Sequence, residues 1–180
     1  MFIYSMQLML PSAKYQACYC AYITELGDEE RYPFPLDFDH QNFGAMLARI
    51  EAFRQGEDLP QGYAASTTYW LIDNDELIGV SNLRHYLTPQ IERAGGHIGL
   101  GIRPSHRGQG LGTLLLKLTL EQAQQRGIHE VHIHCEKSNP ASAAMILANG
   151  GKLHSEITDA THESVIQRYR IPLAQSPLSN

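Results

Sequence analysis

The sequence predicts a single mixed α/β domain over residues 1–180, its central sheet mixed but mostly antiparallel, with helices on both faces. Three observations carry this: two helical stripes in the first third, a hairpin signal near residue 74, and a strand, glycine turn, helix and strand in series over residues 96–135. A hairpin pairs strands antiparallel, whereas a strand–helix–strand crossover is right-handed and pairs them parallel. A chain of 180 residues can bury roughly two thirds of its unfolded surface, so no metal or disulfide staple is needed.

The elements follow in order. The apolar stretch MFIYSMQLML reads as a first strand: it has no basic leader or small-residue cleavage site and falls short of the ~20 apolar residues of a membrane span. Tyr15, Cys18, Tyr19, Tyr22, Ile23 and Leu26 recur at helical spacing, with Ser12 as N-cap and Gly27 as stop. A second stripe, Phe43, Met46, Leu47, Ile50 and Phe53, closes near Gly56. Between them DEERYPFPLDFD forms a structured loop, because Pro33 and Pro35 forbid helix. TTYWLID and ELIGVSNLRH, separated by Asn74 and Asp75, form the hairpin. The run GGHIGLGIRP alternates Ile98, Leu100 and Ile102, and its glycines predict a bulge around Gly99 to Gly101. A helix from Thr113 to Arg126 stops at Gly127, a strand IHEVHIHC follows, then a short helix in NPASAAMILANGG and strands near 152–158 and 164–171. Strands 96–102 and 128–135 are expected to be parallel neighbours.

Charge narrows the partners. Fourteen Lys and Arg against nineteen Asp and Glu leave −5, with no basic run for nucleic acid or an anionic membrane surface. Cys18, Cys20 and Cys135 lack CxxC spacing and read as reduced thiols of a cytoplasmic protein. His129, His132, His134 and Cys135 show no third ligand at matching spacing, so no metal is expected.

The stretch RPSHRGQGLGTLLLKL carries the chemistry. Glycines 108, 110 and 112 expose successive N–H groups at the start of a helix, where orphan donors and the positive dipole end favour a phosphate. Neither GxGxxG nor GxxxxGK[ST] is present, which excludes the common nucleotide loops.

Arg107-Gly108-Gln109-Gly110-Leu111-Gly112 resembles the R/Q-x-x-G-x-G/A motif of the GNAT superfamily of N-acetyltransferases. Ile102-Arg103-Pro104 before it, and Asn139-x-x-Ser142 with Gly150 after it, extend the resemblance over roughly residues 67–171. The runs LRH, GGHIGLGIRPSHRGQGLG, HCEKSN and NGG look like a bacterial group known only as predicted acetyltransferases. The resemblance implies a GNAT-like fold with a splayed parallel strand pair, and acetyl-CoA as cosubstrate. Leu100, Gly101, Ile102, Arg107, Gly108, Gln109, Gly110, Leu111, Gly112, Thr113, Asn139 and Ser142 would bind it. A small-molecule or peptide amine would accept the acetyl group directly, and a homodimer is an expectation of the family.

Two catalytic positions of the family depart here. The usual glutamate base falls on Gly96 and the usual tyrosine acid on Ile146. His97 is the candidate base, His85 with Arg84 could face the acceptor, and Tyr169 is the candidate acid. The departures also motivate an alternative, a non-catalytic acyl-CoA binding or sensing module, which gains if His97 and His85 are packed away from the thioester; a site for another phosphate ligand would show no preference for coenzyme A. Six acids and one Arg between Glu25 and Asp39 would favour a cationic amine.

Overall fold

The computed structural model of the chain describes residues 6–159 and 163–174. Its strands form two sheets. β1 (Gln7–Met9), β2 (Ser66–Asp73), β3 (Glu76–Arg84) and β4 (Ile98–Ile102) are hydrogen-bonded in that order. β5 (Glu130–Glu136), β6 (Lys152–Asp159) and β7 (Ser164–Pro172) make the second, with β7 central. Residues 1–5 of the expected first strand lie outside the described residues.

Local chemistry sets the helices. Ser12 caps a 3-10 turn that leads into α1 (Gln16–Leu26), and Gly27 ends it at φ 55°. α2 (Phe43–Gln55) starts where the Asn42 side chain accepts the Ala45 N–H at 3.0 Å and stops at left-handed Gly56. Asn74 and Asp75 both have positive φ, the backbone that a two-residue hairpin turn demands. α3 (Pro89–Arg93) is an element the hydrophobic pattern did not predict; Thr88 caps it and Pro89 opens it. α4 (Leu111–Gln125) and α5 (Pro140–Ala148) complete the set.

The strand alternation divides the core. Tyr19, Tyr22, Met46, Trp70 and Val80 pack α1 and α2 against one face of the first sheet, with the Tyr19 and Trp70 rings stacked 5.4 Å apart. Ile98, Leu116, Leu120, Val131, Ile133 and Ile146 join α4 and α5 to both sheets. Within that layer the Ser81 and Thr119 hydroxyls hydrogen-bond at 2.8 Å, tying α4 to β3.

Two expectations about β4 are corrected. Its register with β3 runs unbroken from Gly79 opposite Ile102 to Leu83 opposite Ile98, so no bulge occurs at Gly99 to Gly101; the irregularity lies between β2 and β3, at Leu71 and Ile72. Nor do β4 and β5 form a parallel ladder among the described residues. They meet at one isolated bridge, Gly96 with Ile133, antiparallel in its pairing, where Gly95 and Gly96 take φ 117° and 68° and turn the chain. Beyond that contact the strands belong to different sheets and the surface forks.

Gly96 is required there twice over. Its φ is left-handed, and a Cβ would sit on the carbonyl of His132, well inside van der Waals contact. Gly108, at φ 74°, has nothing within 4 Å of its Cβ position. Gly108→Ala is therefore expected to cost about 1–2 kcal/mol, the left-handed strain alone. Gly96→Ala should cost about 1–3 kcal/mol more, because backbone must also move. Thermal unfolding of the two variants, compared with the parent, checks the order.

Candidate active site

The glycine loop is open to solvent. Gly108 and Gly110, at φ 74° and 77°, have no atom within 4 Å of their Cβ positions. α4 begins without a side-chain cap, and the Leu114 N–H bonds back to the Gly110 carbonyl at 3.2 Å. The N–H groups of Leu111, Gly112 and Thr113 thus belong to the first turn, whose donors have no partner within the helix. Gly112 lets α4 sit close to its neighbours, since a Cβ would lie 3.2 Å from the Met145 sulfur. Asn149 holds this turn from α5, its Nδ2 donating to the carbonyls of Thr113 at 3.2 Å and Met145 at 3.0 Å.

Arg107 faces away from that opening. Its Nε donates to the Ile102 carbonyl at 2.9 Å, and its two terminal nitrogens grip Glu29 at 2.7 and 3.2 Å. Glu25 anchors the loop's start, accepting from Arg103 Nε and from the Ser105 N–H, while Arg103 also donates to Glu76 at 2.8 Å. Desolvation opposes ionisation of Glu25, but the bonds from Ser105 and Arg103 prevail and hold it down to about 2. The sequence read Glu25 and Glu29 only as part of an acidic loop; their cations lie 78 residues away.

The fork supplies the second half of the site. The Arg84 N–H donates to the His97 carbonyl at 2.7 Å and the Arg103 N–H to that of Ile78 at 2.9 Å, which assigns the odd-numbered backbone groups of β4 to β3. Leu100 and Ile102 therefore turn their N–H groups outward, and β5 does not pair with them. Gly101, expected to share this duty, points its N–H to β3.

Two histidines close the apex. His97 donates its N–H to the His132 carbonyl at 2.7 Å, and the His132 N–H donates to His97 Nδ1 at 2.9 Å. Nδ1 is thereby an acceptor, which places the ring hydrogen on Nε2. His97 is 6% exposed, and burial pushes it down to about 4. His85 lies elsewhere: its Nε2 is 2.8 Å from the Thr67 hydroxyl, which also accepts from Arg126 beyond the far end of α4. Tyr169 is packed in the α4 and α5 layer with its hydroxyl donating to Gln167 at 3.0 Å. Asn139 caps α5, accepting the Ser142 N–H at 3.1 Å. Ile146 is fully buried. Among the described residues no three His, Cys, Asp or Glu side chains gather as a metal site, and no helix is long and apolar enough to cross a membrane.

Tyr32, which the sequence reading passed over, enters the fork. Although the residue is 44% exposed, its hydroxyl lies 2.8 Å from where a Gly99 Cβ would be, and its carbonyl lies 2.5 Å from the Gly101 equivalent. These two glycines make room for a tyrosine delivered by the loop between α1 and α2. Burial of the hydroxyl pushes the phenol up, against the opposing charge of nearby Arg84.

An open glycine loop at a helix start beside an unpaired strand edge is an arrangement suited to a phosphate and an extended amide-bearing arm, the two ends of an acyl-CoA. Residues 22–150 match the acetyltransferase (GNAT) family model, and the chain belongs to that family. Solved structures share the fold. A ribosomal-protein alpha-N-acetyltransferase, RimL, solved with coenzyme A, is 17% identical, with 93% of this chain and 94% of that one covered at a TM-score of 0.71. A ribosomal-protein alanine acetyltransferase from Vibrio fischeri is 12% identical over 98% of both chains at 0.71. The spermidine/spermine N-acetyltransferase SpeG from Vibrio cholerae, in variant forms, is 15% identical over 93% of this chain and 95% of that one at 0.63. No curated protein sequence matches.

Burial holds His85, His97 and His134 each near 4, below the ordinary 6.5. Between those values the unfolded chain binds more protons than the folded one, so stability rises with pH. Denaturation midpoints should therefore fall as pH drops from 6.5 toward 5, and His85→Gln should flatten that fall.

Proposed function

We propose that this acetyltransferase moves the acetyl group of acetyl-CoA directly to an amine, with the glycine loop and the β4 edge as one binding track. The observation that carries this is the pairing of an uncapped, open helix N-terminus with outward N–H groups at Leu100 and Ile102 on the strand leading into it. Backbone donors from Gly108 to Thr113 would take the pyrophosphate, and the Leu100 edge would pair with the amide-bearing arm. Arg107 contributes backbone, its guanidinium being held by Glu29. Asn139 and Ser142 support the track by starting α5 correctly.

Within the fork the Leu100 N–H polarises the thioester carbonyl and the fixed walls orient the amine. A C–N bond forms as the C–S bond breaks; the thiolate takes a proton from a donor, and the proton that the amine nitrogen loses passes through solvent to restore that donor. His97 positions the apex, since its Nδ1 already accepts from the backbone. Tyr32, with its phenol raised and its hydroxyl against Gly99, is the proton donor we assign to the thiolate. Cys18, Cys20 and Cys135 are all free, which suits a reducing cytoplasm.

Calorimetric titration with acetyl-CoA tests the track: the parent binds, and an Arg107→Ala, Gly110→Ala double variant loses that binding. Thiol release over an amine panel tests the reaction. Binding without release on any amine would identify instead the non-catalytic module that the packed His97 and His85 would fit. Tyr32→Phe should lower kcat about 10²-fold and leave acetyl-CoA affinity unchanged; an unaltered kcat would remove the acid role.

A further inference from the structure

We propose that the acceptor is a small amino carboxylate, its carboxylate gripped by Arg84 at the apex of the fork and its amine received by Asn82; this deepens the acetyltransferase reading and rests on it. Arg84 ends β3, and its Nη1 donates to the Gly96 carbonyl at 2.8 Å, which seats the guanidinium beside the bridge between the sheets. That bond uses one of five N–H donors. Among the described residues no carboxylate pairs with it; of the acids at the end of α1 and in the loop after it, Glu25 is held by Arg103 and Ser105 and Glu29 by Arg107. Burial pushes the guanidinium down from its ordinary value, with only the Tyr32 and Tyr63 phenols opposing. A cation withdrawn from water without an anion is costly, and a planar fork of donors matches a carboxylate two bonds at a time.

The second observation is independent. Asn82 is 1% exposed and stands opposite Gly99, on the face of the sheet that Tyr32 covers. Its Nδ2 donates to Ser66 at 3.0 Å and Thr68 at 3.2 Å, whereas its Oδ1 has no partner among the described residues. A buried acceptor without a donor has lost its bonds to water without replacement, and one N–H would supply the missing bond. Asn82 and Arg84 are two residues apart on one strand and so face the same side, about 7 Å apart at their Cα atoms. An orphan acceptor and an unpaired cation at that spacing suit an amine and a carboxylate on one small molecule.

The surroundings agree in sign and shape. The Phe34 ring lies 5.8 Å from the Arg84 guanidinium carbon and supplies an apolar wall. On the other side Gly95 lets the guanidinium approach, and its N–H donates to His134 Nδ1 at 3.0 Å. His134 also lines a cavity of about 450 Å³ shared with His132, His154, Arg93, Arg168 and Arg170, where Glu92 is the one acidic lining residue. Glu130 leans on His132 and Arg170 at 3.3 and 3.5 Å, which moderates but does not cancel the positive field.

Matched acceptors test this: L-phenylalanine against phenethylamine, L-lysine against cadaverine, and β-alanine against ethylamine. Thiol release from acetyl-CoA would be followed with the parent, Arg84→Lys and Arg84→Gln. At least one carboxylated member should exceed its partner in kcat/KM by about tenfold or more, and Arg84→Gln should collapse that ratio toward one, with Arg84→Lys between. Thermal unfolding and acetyl-CoA titration of each variant separate this from a merely structural effect. A preference for the decarboxylated amines, or an equal loss on both members in Arg84→Gln, overturns the proposal. If no amine turns over, the transfer reading fails by itself, and calorimetry of the same pairs on coenzyme A-saturated protein still decides Arg84. Carboxylate-dependent binding abolished by Arg84→Gln supports the site; equal or absent binding of both members overturns it.

Discussion

A reciprocal pair of hydrogen bonds between His97 and His132 joins the two sheets, and the functional surface depends on the pairing stopping there. Were β5 laddered along β4, the outward N–H groups of Leu100 and Ile102 would be consumed and no strand edge would remain. Gly96 makes the contact close enough, because any side chain at that point would displace the His132 carbonyl. What keeps the sheets together past the contact is apolar burial beneath them. Ile98 from one sheet and Val131 and Ile133 from the other share Leu116 and Leu120 of α4, each worth about 1.5–3 kcal/mol when removed from water.

The same geometry explains why two catalytic side chains of the family are absent. The position of the usual base is filled by backbone, so Gly96 cannot carry a glutamate. Ile146 is fully buried in the layer that holds the sheets together, and a Cβ on Gly151 would already strike it. Polar chemistry at either place would disrupt the fork. The polar side chain that does reach the fork comes from the loop between α1 and α2, where the glycine face of β4 receives Tyr32.

Legibility tracked the range of the forces. The caps at Ser12 and Asn42, the stops at Gly27 and Gly56 and the turn at Asn74 and Asp75 act over a few residues, and the sequence displays them directly. The short α3 carried too few apolar positions to show a period. Glycines 99 and 101 carry no local sign that they receive Tyr32, because composition cannot distinguish a kinked backbone from one that another side chain approaches. His97 looked like a free base since nothing near it in sequence announces that the His132 N–H, 35 residues on, takes its Nδ1.

By itself the sequence determined the class of domain, the order of its elements apart from α3, and the glycine loop that opens α4, all consequences of periodicity, caps and backbone freedom. Tertiary structure alone decided where the sheets part, which β4 amides face outward, that Arg107 and Glu29 neutralise each other, and that among the described residues Arg84 has no carboxylate and Asn82 Oδ1 no donor. Those outcomes join residues up to 78 positions apart. No local preference encodes such a distance; packing of the whole chain does.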